Sequence, residues 1–451
     1  CGIPVAMGIK AADPERPLVL MQGDGSFLYN VQELENARRL GMAFVVVVFN
    51  DGCWNMIKGA QDLFFGARRT GSELGDIDYA AVARGLGCYG RRVSRAGEIA
   101  PAFKEAMEAG VPAVLVDRNE TLGGQLIKQT HRFFGSRDHY SGERGFAIAA
   151  QLASRLAGCG RTEVLTGSTV FGYYEDGVMG IHTPRGTLHL RPEAAILATG
   201  AAEKALAFPN NDLPGIYGAG AVQTMVNVWG VLPGRRVLMV GTGNIGVIVS
   251  YQLLQAGVEV VACIDAAPRI GAFWVHAAKI ARLGVPIHTS CTVKEAGGRG
   301  RLEEAVTWRL DDDGRPRPGT EEVYAVDVMC LAVGLSPLTE LARQAGCRLA
   351  WVPELGGYLP LLDDNMATTV PHIFVAGDGA GVEEATTAML EGSLAALAAC
   401  ARLGRPHPEH GVRREALLNE LAALRGGPAA ARIRAGRSRM QREEGFRHAT
   451  N

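Results

Sequence analysis

Near-continuous apolar runs punctuate the chain, each closed by a short polar or glycine-rich turn. "PLVLMQ", "AFVVVVFN", "PAVLVD", "EAAILATG", "RRVLMV", "VEVVACID", "DVMCLAV" and "HIFVAG" are such runs. Runs that do not alternate polar with apolar positions suit parallel strands covered on both faces. Segments of helical period lie between them. In "YNVQELENARRLG", Val31, Leu34, Ala37 and Leu40 recur near helical spacing and a glycine follows, a helix stop signal. "CYGRRV", "GEIAPAFKEAMEAG" and "PAVLVD" predict a strand–helix–strand unit, and "VIVSYQLLQAG" and "EEATTAMLEGSLAALAACARLG" predict further helices. "REALLNELAALRG" predicts one more near the C-terminus, with the arginine-rich end beyond it expected to fray. Alternating strands and helices mean a layered α/β protein.

Composition narrows this reading little. The 451 residues suffice for about three domains. Hydrophobic residues make up 47% and charged residues 21%, and the net charge of -1 points to neither nucleic acid nor an anionic membrane. The nine cysteines are scattered with no C-x-x-C pair, which argues against a redox disulfide, a zinc knuckle or a cysteine-held iron–sulfur cluster. A reducing, cytoplasmic setting fits. No apolar run approaches the roughly eighteen residues of a membrane span, and no signal peptide is visible. The chain opens on a cysteine rather than a methionine, so a fragment is one reading.

"GTGNIG" supplies the clearest chemistry. Gly241, Gly243 and Gly246 follow a strand and open a helix, and Asp265 ends the next strand. This is the context a dinucleotide fingerprint requires. Gly241 allows the tight turn, Gly243 the approach of a pyrophosphate and Gly246 close helix–strand packing. Asn244 begins the helix, whose free N–H groups face the phosphates. Asp265 would accept from a ribose 2′-hydroxyl and repel a 2′-phosphate, so NAD is favoured over NADP.

A second constellation lies near the N-terminus. "GDGSF" (Gly23–Phe27) and "FNDG" (Phe49–Gly52) each follow a buried run. Asp24 offers a carboxylate, Asn50 an amide oxygen and Gly52 a carbonyl, hard oxygens of the kind Mg²⁺ takes with a diphosphate. Gly23 and Gly25 would let the backbone approach the phosphates. These motifs, with "NDGCWNMIK" and "DIDYAAVARGLG", resemble the diphosphate-binding domain of thiamine-diphosphate enzymes of the acetolactate synthase type over nearly all of residues 1–118. The resemblance implies thiamine diphosphate and Mg as cofactors. The domain that would hold the aminopyrimidine and its activating glutamate has no counterpart in this chain.

A third set, "VLVDRNETLGGQL", "ILATGA", "FPNNDLPGIYGAGAVQ", "LAVGLSP" and "IFVAGDGAG", occurs in that order. It resembles the two-dinucleotide flavoprotein oxidoreductases over about 113–410, and more closely the large flavin subunits of opine, sarcosine and hydroxyproline oxidase complexes. The resemblance implies that Asp117 binds the adenosine ribose of FAD. It further implies that Gly123 and Gly124, followed by Gln125, permit close backbone approach of the nucleotide, that Thr199 and Gly200 mark the crossing between domains, and that Gly377 and Asp378 sit at the flavin's ribityl and pyrophosphate groups. It also implies self-association and a second oxidoreductase subunit. Two features depart from that pattern. The cysteine cluster of many such subunits is reduced here to Cys400, and the first glycine loop of the flavin domain is missing. "GLGCYG" (Gly85, Gly87, Gly90) has the spacing, but a helical run precedes it and a strand ("GRRV") is expected to follow, the reverse of what a phosphate loop needs. The expected turn, "VSRAGE", has only one glycine, and Glu98 at the start of the following helix would repel a pyrophosphate.

The fold expected is α/β. A thiamine-diphosphate-type three-layer αβα domain (1–118) precedes an incomplete FAD-binding Rossmann-like domain (119–228 and 336–410). An NAD-binding Rossmann domain (229–335) is inserted into the latter, and a helical basic tail (411–451) follows. "PAVLVD" serves both as the last strand of the first domain and as the second strand of the flavin domain. Either Tyr89–Val93 fills the missing strand's place or the sheet is damaged, and weak flavin binding is expected. The leading function is hydride transfer between nicotinamide and FAD, as in the flavin subunit of an amine or imino-acid dehydrogenase that acts on a small molecule. The alternatives are a thiamine-diphosphate- and Mg-dependent lyase or synthase fragment needing a partner chain, and a non-catalytic fusion. No catalytic acid, base or nucleophile is named by the sequence. His131 and His139, after the Gly-Gly turn, are read as structural rather than as lining a flavin pocket.

Overall fold

The two apolar runs nearest the N-terminus become parallel neighbours. The structure, a computed structural model, describes residues 2–448 apart from positions 15, 17, 65, 67, 76, 94–112, 134–138, 158–161 and 428–429. It divides into two units, Cys1–Leu115 with Arg155–Leu165, and Val116–Ser154 with Thr166–Asn451. The first unit contains α1 (Gly2–Ala12), β1 (Val19–Gly23), α2 (Asp24–Leu28), α3 (Glu33–Arg39), β2 (Val45–Phe49), α4 (Asn55–Phe64) and α5 (Tyr79–Gly85). β1 and β2 run in register from Val19 opposite Val45 to Gly23 opposite Phe49. Both strand-end turns therefore leave one sheet edge side by side. Ile3, Phe27, Leu34 and Tyr79 form the core beneath them, with the Phe27 and Tyr79 rings edge to face at 5.6 Å.

Residues 89–93 are not the expected strand. The chain there is folded back on α5. The Gly87 N–H donates to the Arg84 carbonyl at 3.0 Å and the Cys88 N–H to that of Ala83 at 2.9 Å, with Gly87 at φ +79°. This is a glycine-terminated helix end. Arg84 Nη1 then binds the Gly90 carbonyl at 2.6 Å, and a side chain at Gly90 would strike the Ala80 carbonyl. The glycines of "GLGCYG" thus cap a helix, and residues 91–93 after them lie in no strand. The helix expected in "GEIAPAFKEAMEAG", with Glu98, lies outside the described residues. β3 (Ala113–Val116) follows, then α6 (Gly145–Ala157) and β4 (Thr162–Leu165), which pairs with β3.

The second unit begins its strands with an antiparallel meander, β5 (Thr169–Tyr173), β6 (Met179–Thr183) and β7 (Gly186–Leu190), followed by β8 (Ala195–Leu197) and β9 (Ala201–Glu203). The fingerprint region is β10 (Ile216–Gly218), α7 (Ala219–Asn227), β11 (Arg236–Val240), α8 (Asn244–Gln255), β12 (Glu259–Ile264), α9 (Trp274–Arg282) and β13 (Ile287–His288). An antiparallel sheet of β14 (Cys291–Gly297), β15 (Glu304–Arg309) and β16 (Glu322–Ala325) leads to β17 (Val328–Leu331). A parallel sheet of order β10-β17-β11-β12-β13 results. Val237 and Met239 enter one core cluster and Leu238 and Val240 another, so β11 is buried on both faces, as its unbroken apolar run requires.

The return segment is β18 (Leu335–Pro337), α10 (Glu340–Gln344), β19 (Leu349–Val352), β20 (Gly357–Pro360) and β21 (Ile373–Val375). Three helices end the chain, α11 (Ala385–Arg402), α12 (His410–Arg425) and α13 (Ala431–His448). The arginine-rich end does not fray after "REALLNELAALRG". Leu421 of α12 and Met440 of α13 enter the core cluster of Ile373–Ala376, Leu390 and Leu394, against which Val116 also packs. β21 pairs in parallel with β8. β3–β4 and β8–β21 are separate two-stranded sheets, and among the described residues no strand joins them. Residues 89–93 therefore do not form the strand expected of them.

Candidate nucleotide-binding sites

The turn from β11 to α8 has the geometry of a phosphate loop. Gly241 adopts φ +110°, and a side chain there would strike the Ala332 carbonyl. A side chain at Gly246 would strike the Gly241 carbonyl, while one at Gly243 would meet nothing within 4 Å. Two glycines thus serve packing, and the third leaves the backbone open to an incoming group. Asp265 closes β12 against this turn. Its Oδ2 accepts from the Thr242 N–H at 2.6 Å and from Thr242 Oγ1 at 2.7 Å. Its Oδ1 accepts from the Ala267 N–H at 2.9 Å. A carboxylate has about four acceptor positions, so capacity remains for a ribose hydroxyl. Asn244 is held at both ends: its Oδ1 accepts from the Phe273 N–H at 2.9 Å, and its Nδ2 donates to Glu384 Oε1 at 3.1 Å.

On the flavin side, Thr199 Oγ1 donates to the Leu338 carbonyl at 2.6 Å, and the Leu338 N–H donates to that of Gly200 at 3.0 Å. Two crossing segments are thereby stitched together. A Cβ at Gly379 would lie 3.3 Å from Thr199 Oγ1, so the turn after β21 sits against the Thr199–Gly200 crossing. Gly377 has φ +71° and its N–H donates to Glu391 Oε2 at 3.0 Å. Burial, reinforced by the charges of Glu391, Glu384 and Glu383, pushes the Asp378 carboxyl up to about 6. Asp117 accepts at Oδ1 from the Asn119 N–H and side-chain amide, both at 2.9 Å, and among the described residues Oδ2 accepts no hydrogen bond. Gly123 (φ +124°) is demanded by packing, since a Cβ would come within 2.7 Å of Ala149 on α6. Gly124 (φ +51°) faces open space, and exposed Gln125 follows it in a 3₁₀ turn, Gly124–Lys128.

Several charged residues beside these turns escaped the sequence reading. Arg425 Nε and Nη2 bind Glu383 at 2.9 Å each, and Nη2 binds Glu391 at 2.6 Å. Arg437 Nη2 binds both glutamates at 2.6 Å. The side chains of Glu383 and Glu391 are 3% and 2% exposed, so this lock is buried. Only the recurrence of arginines in the tail hinted at it. Glu203 caps α7 by accepting from the Gly220 and Ala221 N–H groups at 2.6 and 3.2 Å. Beside it Lys128 donates to the Gly220 carbonyl at 3.2 Å, and burial, opposed by Glu203, lowers the ammonium's pKa. His131 stacks on Phe133 at 5.7 Å. Burial, with His276 and Lys279 nearby, takes its pKa down to about 4. His139 Nε2 lies 3.3 Å from Glu420 of α12, a tie between segments.

In the first unit, Asp24 is 2% exposed. Its two oxygens accept from the Gly25 and Gly52 N–H groups at 2.8 and 2.9 Å, and no ion-pair partner for it is found among the described residues. The Gly52 carbonyl already accepts from Leu74 at 2.7 Å. Asn50 lies at the surface and donates weakly to the Ile77 carbonyl at 3.4 Å. A Cβ at Gly25 would lie 2.8 Å from the Trp54 ring, whereas Gly23 faces open space. Among the described residues the buried hydroxyls of Ser72 and Tyr79 find no hydrogen-bond partner. Burial, with the Asp24 charge nearby, raises the Tyr79 phenol. A buried carboxylate with unused acceptor positions, and no cationic side chain paired with it among the described residues, fits a metal–diphosphate group at Asp24. Each of the three expected ligands already makes a hydrogen bond: Asp24 accepts at both oxygens, the Gly52 carbonyl accepts from Leu74, and Asn50 donates from its amide nitrogen while its amide oxygen accepts nothing among the described residues. Among the described residues no three His, Cys, Asp or Glu side chains gather as a metal cage, and no helix is long and apolar enough to cross a membrane.

Strand, glycine turn, helix and acid-ended strand therefore lie inserted between two segments of flavin-side turns. A family model described as pyridine nucleotide-disulphide oxidoreductase matches residues 98–392. The chain belongs to that family. Its enzymes are oxidoreductases that use FAD and a nicotinamide nucleotide. A second model, the C-terminal TPP binding domain of thiamine pyrophosphate enzymes, matches residues 1–116. The oxidoreductase part is 29% identical to the alpha chain of sarcosine oxidase from Rhizobium meliloti (strain 1021), over 67% of this chain and 29% of that protein. It is also 29% identical to an opine oxidase component of Agrobacterium tumefaciens (strain Ach5), over 66% of this chain and 62% of that protein. The N-terminal part is 33% identical to the acetolactate synthase large subunit of Haemophilus influenzae, over 26% of this chain and 21% of that protein. The chain thus spans under two thirds of these relatives. Among solved structures, L-proline dehydrogenase from P. horikoshii shares the fold of 68% of this chain and 54% of its own (TM-score 0.52, 21% identity).

Proposed function

We propose that the chain moves a hydride between a nicotinamide nucleotide at the Gly241–Asp265 turn and an FAD at the flavin-side turns. The open backbone at Gly243, framed by Asp265 and the start of α8, carries this reading. α8 would direct unpaired N–H groups at the pyrophosphate, and Asp265, already oriented by Thr242, would accept from the adenosine ribose. NAD is preferred because the same carboxylate opposes a 2′-phosphate. On the flavin side, Asp117 would take the FAD ribose through its open Oδ2, with Gly124 and Gln125 beside it. Thr199, Gly200, Gly377 and Asp378 would line the other half. Bound flavin would supply the hydride acceptor or donor; the chain supplies orientation. The domain limits proposed are 1–118, 119–228, 229–335, 336–410 and 411–451. The named relatives are oxidase subunits, which supports a role as the flavin subunit of an amine or imino-acid dehydrogenase with a second subunit, in a reducing cytoplasm. Anaerobic addition of NADH to the FAD-supplemented chain tests the reading: loss of the visible flavin band supports it, and an unchanged band with NADH bound refutes it.

A second reading is favoured by buried Asp24 alone. Asp24 and Asn50 would hold Mg²⁺ bridged to thiamine diphosphate, and Gly23 would admit the diphosphate. Thermal stabilisation by thiamine diphosphate that requires Mg²⁺ supports it; stabilisation indifferent to Mg²⁺ refutes it.

A further inference from the structure

Asn244 begins the helix that faces the proposed pyrophosphate position, and its side chain leaves little freedom. The Phe273 N–H can donate only to an oxygen, so Oδ1 faces Phe273 and Nδ2 must point the other way. There it meets Glu384 Oε1 at 3.1 Å. Glu384 precedes α11 in extended conformation and belongs to the flavin-side return segment, 140 residues away in sequence. Its neighbour Glu383 is fixed by Arg425 and Arg437 from α12 and α13. Adjacent residues of an extended segment project to opposite sides. The C-terminal helices thus anchor one glutamate, and that anchoring presents the next to the nucleotide turn.

We infer that Glu384 is a negative determinant of nicotinamide-nucleotide affinity, held in place by the C-terminal helices through Glu383. A carboxylate hydrogen-bonded to the first residue of α8 stands where the dinucleotide brings its own negative charge, and like charges oppose one another at this range. The nucleotide therefore binds by displacing Glu384 from Asn244 or by tolerating it. The inference rests on the nicotinamide site proposed above.

NADH titration of the full chain tests it. Glu384→Gln keeps the shape and an acceptor for Asn244 but removes the charge. It should tighten NADH binding about tenfold, the order expected for one partly screened unit charge, with an unchanged melting temperature. Arg437→Gln should move affinity the same way, Arg437→Lys should restore it, and Arg437→Gln should add nothing to Glu384→Gln. Equal or weaker NADH binding by Glu384→Gln overturns the inference alone. Additive effects overturn the link to the C-terminal helices. Absence of NADH binding in every variant overturns both the inference and the nicotinamide site it rests on.

Discussion

The carbonyl oxygen of Gly241 fills the space into which any side chain at Gly246 would project. Gly246→Ala is therefore expected to destabilise the fold by about 1–3 kcal/mol through overpacking and to weaken NADH binding. Gly243→Ala meets no neighbour and its φ of -68° suits any residue. It should leave the melting temperature unchanged while weakening NADH at least about tenfold. Paired melts and NADH titrations check both; equal destabilisation by the two would contradict the geometry.

Asp265 organises Thr242 and, in the proposed site, would also face the nucleotide. Asp265→Ala leaves the Thr242 N–H and hydroxyl without their acceptor, an expected loss of about 1–3 kcal/mol. It should also narrow the preference for NADH over NADPH. Affinities for both nucleotides, wild type against variant, provide the check.

The C-terminal helices hold the Gly377 turn by charge. Arg437→Met leaves Glu383 and Glu391 buried with one arginine between them. A loss of about 2–4 kcal/mol in chemical denaturation is expected, the lower end reflecting the arginine's 19% exposure. A loss below about 0.5 kcal/mol, as for exposed pairs, would show that the lock does not stabilise the fold.

Two groups set opposing pH dependences. His131, taken down to about 4, is neutral in the fold. It contributes stability that is complete above its ordinary pKa near 6.5 and lost as pH falls toward 4. Asp378, pushed up to about 6, prefers its proton in the fold, so it costs stability as pH rises from about 4 to 6. His131→Phe should flatten the acid loss, and Asp378→Asn should raise stability above pH 6. Denaturation midpoints across pH 4 to 8 separate the two.

Flavin should be held loosely. The Gly377 N–H is already donated to Glu391, and the Glu384 and Asp378 carboxyls stand beside that turn. FAD below one equivalent after purification is expected; tightly bound stoichiometric FAD would contradict this.

The fingerprint was legible because its parts are local: strand, turn and helix fall within about twenty residues and each glycine has a steric reason. Tyr89–Val93 forms no strand because a strand exists only where a neighbour takes its N–H and carbonyl groups, and a local pattern cannot supply one. The Glu383–Arg437 tie spans 54 residues, and the tail's arginines read as a solvated charge run until α13 is seen packed. No local pattern marks Glu203 as the cap of α7, a role that depends on the chain placing β9 beside that helix. Gly123 was read as a place for nucleotide approach, yet Ala149 supplies a packing reason that no local pattern reveals.

The most direct test is a structure of the chain with NAD bound. The account predicts the pyrophosphate over Gly243 at the start of α8 and the adenosine ribose within hydrogen-bond distance of Asp265. NAD seated elsewhere, with Gly243 uncovered and Asp265 facing no ribose, would contradict it.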